Sequence, residues 1–555
     1  MVLRSKRNDH KKYNEAGAYI FPPGTREDFA FIYPNTYKAG MSNLGFHIIY
    51  REINERGDTA CERFFLPAGP DEKKLESVET GRSLDSFPVI GVMMSFETDY
   101  FNLPVMLQKG GVPVKSADRG EHHPLIIIGG PCATFNPEPL ADIADVFVIG
   151  EGEEVINEVL DGIYRNKTAL RKDKLKCLAN IKGIYVPRFY QPVYEDGKFA
   201  GMLADEGVPE KVEKRYIKNI DRHKGYYQII TPDTEFSSAF VIELARGCGR
   251  HCRFCMAGYA TRPPRNRSFD AVWSDIGKRP PEATKVGLLG AAVCDYPYIG
   301  NLAENLMEQN IAFSVSSLRA DALHVSLVRA LRKNGQRTLT IAPEAGSERL
   351  RRVINKNITK DDIMNAVKIA SDEGMPNIKL YFMLGLPTET MEDIVELKDL
   401  VEDIAALMHK SGRVSLSINP FIPKPFTPFQ WERMIDAREF EEKIGYLKSS
   451  LRKVAIKAEP LKSAVVQSVL SLGDRRMGEL IITASEKGGL KEFWRIVKKQ
   501  NLQVKYDTND KLPWDHINLG FGKNWLLKER ELAEAGAVTA ICNDGCIRCG
   551  VCGKE

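Results

Sequence analysis

The chain has no run of about 18 or more apolar residues, so no helix is expected to cross a membrane. Cysteine is scarce, 11 in 555 residues, which excludes a small disulfide-stapled domain. Gly 44 and Pro 30 are too few for a collagen-like or low-complexity chain. Charge of one sign is missing too, since 78 Lys and Arg against 74 Asp and Glu leave a net charge of only +4. No internal repeat is found. The N-terminus, MVLRSKRNDHKKYNEAGAYIF, lacks the apolar core and cleavage site of a secretory signal, and a cytoplasmic, reducing location is expected. What is present is ordinary: 43% hydrophobic and 27% charged residues, and enough chain for about three or four domains.

An α/β fold is expected. Residues 28–160 alternate short apolar runs (Phe29–Tyr33, Val89–Ser95, Leu125–Ile128, Val146–Ile149) with helical segments such as Asn43–Asn54. Such runs read as buried parallel strands of a doubly wound sheet. This predicts a Rossmann-like domain over 1–165. A connector with a small sheet follows over 166–235, with Glu195-Asp196-Gly197 as a hairpin signal. Six further strand candidates, Ala239–Leu244, Lys285–Leu289, Phe313–Ser317, Arg337–Ile341, Asn377–Met383 and Val414–Asn419, suggest a partial (β/α)6 barrel over 236–430. Residues 431–510 read as helical and 511–555 as an irregular Cys-rich tail. Between Lys443 and Lys505 there are 14 Lys and Arg against 5 Asp and Glu. This is either a solvated helix face or a surface for a polyanion.

The cysteines fall into two groups. Cys248, Cys252 and Cys255 form C-x3-C-x2-C just past the first barrel strand. Three thiolates so placed can ligate three irons of one [4Fe–4S] cube and leave the fourth open. Zinc would normally want a fourth protein ligand, and His251, adjacent to Cys252, is badly placed to supply it. Cys542, Cys546, Cys549 and Cys552 form a second group in the tail, suited to a second [4Fe–4S] cluster or to zinc.

The three-cysteine loop, with the strand pattern around it, resembles the radical S-adenosylmethionine (SAM) superfamily. The resemblance implies that SAM chelates the open iron and is cleaved reductively to methionine and a 5′-deoxyadenosyl radical. A low-potential electron donor such as ferredoxin or flavodoxin would then be a partner. It also implies SAM contacts for Phe254 beside the adenine, for the backbone at Gly290 and Ala291 (where the family often has Gly-Gly-Glu), for Ser317 and Arg319 after the third strand, and for Glu344 and Lys356. Gly385-Leu386-Pro387-Thr388-Glu389 looks like the element that closes the adenine pocket.

The N-terminal segment from Asn35 through Tyr37 and Gly40 to Leu44-Gly45 is similar to the cobalamin-binding signature Asp-x-His-x-x-Gly. Ser95, Gly129-Gly130 and Gly150-Glu151 fall at further positions of that family. Asn35 and Tyr37 replace its acidic residue and histidine. Bound cobalamin is therefore expected without a histidine ligand, Tyr37 lying under or near the cobalt; the alternative is a relic domain that only scaffolds. Over nearly its full length the chain resembles an uncharacterised cobalamin-binding-domain radical SAM family, on the Asn419–Phe429 run and Pro513-Trp514-Asp515-His516. That implies a radical methylase of an unactivated carbon, or a radical enzyme of another outcome such as sulfur insertion, rearrangement or cyclisation. A non-enzymatic scaffold competes with both. The basic stretch makes a large anionic acceptor, RNA above all, the leading substrate class.

Overall fold

The computed structural model describes residues 13–67, 74–408, 412–543 and 545–552. Its first sheet comprises β1 (Glu27–Tyr33), β2 (Thr59–Phe65), β3 (Val89–Met93), β4 (Leu125–Gly129), β5 (Val146–Val148) and β6 (Ile184–Tyr185), in spatial order 2-1-3-4-5-6. All pairs are parallel except β5–β6. The five residues of β3 are all buried, as helices on both faces require. The strand order reverses between β1 and β3, which opens a crevice at their carboxyl ends. The helix Leu44–Glu55 starts at Asn43, whose side chain accepts the Phe46 N–H. Because β6 closes this sheet, the domain runs past the expected boundary at 165.

The connector forms the hairpin of β7 (Tyr190–Glu195) and β8 (Lys198–Ala204). Asp196 and Gly197 turn it with φ of 47° and 77°, as a tight hairpin requires. Next come β9 (Val212–Glu213), β10 (Ala239–Glu243) and a small antiparallel ribbon, β11 (Ala245–Arg246) with β12 (Arg265–Asn266). The ribbon closes the base of the three-cysteine loop.

All six barrel strands expected from the sequence are present. They are β10, β13 (Lys285–Leu289), β14 (Phe313–Val315), β15 (Thr338–Glu344), β16 (Asn377–Leu384) and β17 (Arg413–Pro420). Three pair as 10-13-14. The other three pair as 15-16-17, extended by β18 (Ala455–Ala458), and a lone parallel bridge from Leu318 to Ile341 links the two halves. Among the described residues the sheet does not close into a barrel. Its helix-facing residues, such as Ile378, Leu380 and Phe382, are buried, whereas inward Lys379, Tyr381 and Met383 are only half-buried. The inner face of the sheet is thus partly open.

Two expectations are corrected here. The strand β18 lies inside 431–510, so the sheet outlasts residue 430. It is short, and neither Ile456 nor Ala458 is fully buried, so it lacks an apolar run that marks a strand. The tail is not irregular either: β19 (Ile517–Asn518) pairs with β9, and Lys523–Glu534 is a helix. The helices Leu461–Leu472, Met477–Glu486 and Leu490–Gln500 pack on the first domain, with Phe493 against Phe101 at 5.2 Å.

Candidate active site

Residues between the cysteines hold the loop in place. Arg250 donates to Asp295 and to Asp321 at 2.9 Å, fastening the loop across the carboxyl ends of β13 and β14. Arg253 is fully buried and donates to the Val353 carbonyl at 2.9 Å and the Arg352 carbonyl at 3.2 Å, at the end of the helix Glu348–Val353. A cation suits that end of a helix. Arg253 also reaches Glu529 at 3.2 Å in the tail helix. Asn355 donates to the carbonyls of Arg250 and His251 and accepts the Thr539 N–H at 2.8 Å. Burial raises the Cys248 thiol and pushes Cys255 up to about 12, each thiol adding repulsion to its neighbours. A metal that stabilises thiolates answers that cost, so the donor set fits the expected cluster.

The expected SAM residues gather around the sheet mouth. Phe254 packs against the apolar cluster that includes Ala345, Leu386 and Phe421. Lys356 is buried and lies 3.3 Å from Glu344, which takes a φ of 69°. Arg319 binds Asp321 and the Lys356 carbonyl. Ala291 and Ser317 are exposed at the open edge. A Cβ on Gly290 would meet nothing nearer than 3.8 Å, so sterics do not demand glycine there. Glu389 caps the Gly385 N–H and pairs with buried Lys443 at 2.7 Å.

The model of the Radical SAM superfamily matches residues 242–401, and that of Radical SAM proteins, N-terminal, matches residues 45–187. The uncharacterized protein MJ0966 of Methanocaldococcus jannaschii is 33% identical over 507 residues, 89% of this chain and 99% of that protein. The chain belongs to the radical SAM superfamily. A tRNA-2-methylthio-N(6)-dimethylallyladenosine synthase of Anaplasma phagocytophilum is 25% identical over 253 residues, 43% of this chain and 55% of that enzyme. Among solved structures, the radical S-adenosylmethionine methyltransferase TsrM of Kitasatospora setae aligns with 86% of this chain and 100% of its own. The TM-score is 0.52 at 12% identity, and the likeness is one of fold.

The first domain of this radical SAM enzyme presents its crevice to the sheet mouth. Glu97, just past β3, is buried against Lys424, just past β17, and accepts from Gln467 at 2.9 Å. Asn35 donates to Asp99 at 2.7 Å across the crevice, and burial pushes the Asp99 carboxyl up to about 6. Ser95 accepts from Asn43. Phe96 is 51% exposed, and Gly129 and Gly130 are half-buried. Gly130 has a φ of 105°, and a Cβ there would lie 2.7 Å from the Met94 carbonyl. Gly130 is thus required by the neighbouring backbone, while a Cβ on Gly129 would meet only Val148, at 3.8 Å; that open glycine beside the exposed Phe96 ring fits a broad flat cofactor. Packing rather than ligand approach accounts for Gly40, where a Cβ would strike the Phe65 ring. Gly45 lies beside Asn43 and Met93.

Three expected residues have other occupations. The Tyr37 hydroxyl donates to Glu15, which pairs with Arg63, and its ring stacks on Tyr13, so the phenol is committed to the protein core. Glu151 pairs with Arg265 at 2.6 Å and Arg246 at 3.3 Å, gripping the ribbon beneath the cysteine loop. Gly150 packs against the Arg215 backbone, which a Cβ would meet at 2.1 Å. The Gly-Glu element therefore joins the domains. In the basic stretch, Arg475 also points inward, to buried Glu138 at 3.0 Å.

Arg250, Arg253 and Asn355 were not singled out from the sequence. Two arginines inside a C-x3-C-x2-C loop were the available signal, because a solvated loop has no need of them. The tail quartet docks on this same loop: the Cys542 N–H donates to the Gly249 carbonyl at 2.9 Å.

Proposed function

We propose that this radical SAM enzyme is a cobalamin-dependent methylase of an unactivated carbon. The observation that carries the reading is the Glu97–Lys424 pair, which sets the carboxyl edge of the first sheet against that of the second. A cofactor in the crevice and SAM in the mouth then share one chamber. When bound, the loop cluster supplies the electron that cleaves SAM, and cobalamin supplies the methyl group. The chain's own part is positioning. Arg250 and Arg253 hold the three thiols over the mouth, and Phe254 offers an apolar wall for adenine. Lys356 offers a cation to a carboxylate. Gly129 leaves its part of the crevice edge clear of a side chain, and Tyr37, bound to Glu15, offers no ligand from below. Protein reductant of the ferredoxin or flavodoxin class would feed the cluster, and the tail quartet would hold a second thiolate-bound metal.

A second reading, sulfur insertion into RNA beside a relic first domain, draws support from the partial similarity to a tRNA-modifying enzyme. Reconstitution without oxygen separates the two. The methylase reading expects stoichiometric cobalamin uptake, 5′-deoxyadenosine from wild-type protein and none from Cys252→Ala. Deoxyadenosine from Cys252→Ala rejects the loop assignment, and protein that takes up no cobalamin favours the second reading.

A further inference from the structure

Arg262 is 1% exposed. Its guanidinium donates to the Gly258 carbonyl, to His251 Nδ1 at 2.6 Å, to Cys549 Sγ at 3.3 Å and to Cys542 Sγ at 3.7 Å. None of its bonds among the described residues is to a carboxylate. A guanidinium keeps its proton in a protein, and an uncompensated buried charge costs several kcal/mol. Neutral thiols would leave that charge unanswered; metal-bound thiolates answer it. Arg548 adds a donor 3.3 Å from Cys546 Sγ. The surroundings of the quartet are therefore built for an anionic centre.

His251 supplies direction. Arginine can only donate, and Arg262 Nη2 lies 2.6 Å from His251 Nδ1 against 3.4 Å from Nε2, so the nearer Nδ1 accepts and the imidazole proton sits on Nε2. That N–H points at Cys542 Sγ, 3.0 Å away. Hydrogen bonds to ligand sulfurs tune the potential of an iron–sulfur cluster. His251 is also the chain neighbour of Cys252. One hydrogen bond and a short covalent stretch thus join a ligand of the tail centre to a ligand of the loop centre. Cys549 also borders a cavity of about 670 Å³ whose lining includes Lys211, Lys511, Asp515 and Lys523.

We propose that Cys542, Cys546, Cys549 and Cys552 hold a [4Fe–4S] cluster that relays single electrons through His251 to the cluster on Cys248, Cys252 and Cys255. The inference rests on the loop assignment made above. A flavodoxin-class donor is oxidised by one electron as the tail cluster is reduced. The tail cluster is reoxidised as the loop cluster is reduced, and the loop cluster passes the electron to the sulfonium of SAM, whose S–C5′ bond breaks. Zinc has no such redox step.

The test uses full-length protein reconstituted without oxygen, with iron and zinc counted and electron paramagnetic resonance recorded after reduction. Wild type should hold about eight irons and no zinc, and Cys549→Ser about four irons with the SAM-responsive signal intact. His251→Phe keeps every cysteine and should keep both signals. Its flavodoxin-driven SAM cleavage should fall about tenfold further than its dithionite-driven cleavage, because the small reductant reaches the loop cluster directly. One zinc and four irons in wild type overturns the relay while leaving the loop assignment standing. So does flavodoxin-driven cleavage by Cys549→Ser at the wild-type rate, or an equal loss with both reductants in His251→Phe. Wild-type protein that makes no deoxyadenosine with either reductant overturns the loop assignment beneath the relay.

Discussion

The two cysteine groups use arginine in opposite ways. At the three-cysteine loop, Arg250 meets Asp295 and Asp321, and Arg253 meets Glu529 and helix-end carbonyls. Those charges are balanced by protein, and the arginines act as clamps whether or not a metal is bound. At the tail quartet, Arg262 and Arg548 meet sulfur. For buried Arg262 the balance has to come from thiolates, hence from whatever metal makes the thiols ionise. Counting arginines near cysteines therefore says little; the partner of each guanidinium decides whether it serves the backbone or the centre.

The largest effect should follow from Arg253→Met. Removing one member of a buried pair leaves the other uncompensated, here Glu529 at 3% exposure, and typically costs about 3–5 kcal/mol. Denaturant unfolding should show that loss in metal-free and reconstituted protein alike, with the tail newly open to protease. A loss confined to reconstituted protein would erase the distinction between the two groups. Arg262→Met should behave the other way. Methionine keeps the packing against Tyr259 and Trp525, whose rings lie 5.4 and 5.1 Å from the guanidinium carbon. Metal-free protein should then be unchanged or more stable, because a stranded charge is gone, while reconstituted protein loses about 2 kcal/mol. Equal destabilisation of both forms would mean that Arg262 is a clamp like Arg253.

Much of the frame was legible before the fold was known, for a physical reason. Strands buried on both faces appear as continuous apolar runs, so β1, β3 and β4 stood out; β15, β16 and β17 alternate buried with half-buried or exposed residues over seven or eight positions, and a period of two kept that long is as plain. The strand β18 did not, because half-buried alternation in four residues resembles the end of a helix. The cysteine spacings were equally plain, since ligands of one centre lie close in sequence. Their mutual placement was not: His251 and Cys542 are brought together by the docking of the tail helix and by Asn355, contacts between residues far apart in the chain. Charge was the least legible property. Lys443 and Arg475 add to the basic count of their stretch, yet both are spent on buried carboxylates. The exposed basic residues run from Lys448 to Lys505, with four of them, Lys491, Arg495, Lys498 and Lys499, gathered on the helix Leu490–Gln500. Tyr37 and Glu151 sit where a signature has ligands, and local sequence could not show that Glu15, Arg246 and Arg265 would claim them.

Arg548 should give the smallest effect and the finest test of the comparison. It donates to Cys546 Sγ as Arg262 does to Cys549, and both donor–sulfur distances are 3.3 Å. It differs in being exposed, with its other end on the Ile541 carbonyl. Water and salt screen an exposed charge, so its coupling to an anionic centre should be at most about 1 kcal/mol and should fade as ionic strength rises. The rate of metal loss to a chelator should therefore rise only a few-fold in Arg548→Gln at low salt, within about fivefold, and match wild type at high salt. Arg262→Met should lose metal faster at both, since no salt reaches that side chain. If Arg548→Gln released metal as fast as Arg262→Met, and did so in high salt, burial would not be what separates the two arginines. The anionic centre would then have to lie nearer Cys546 than Cys549.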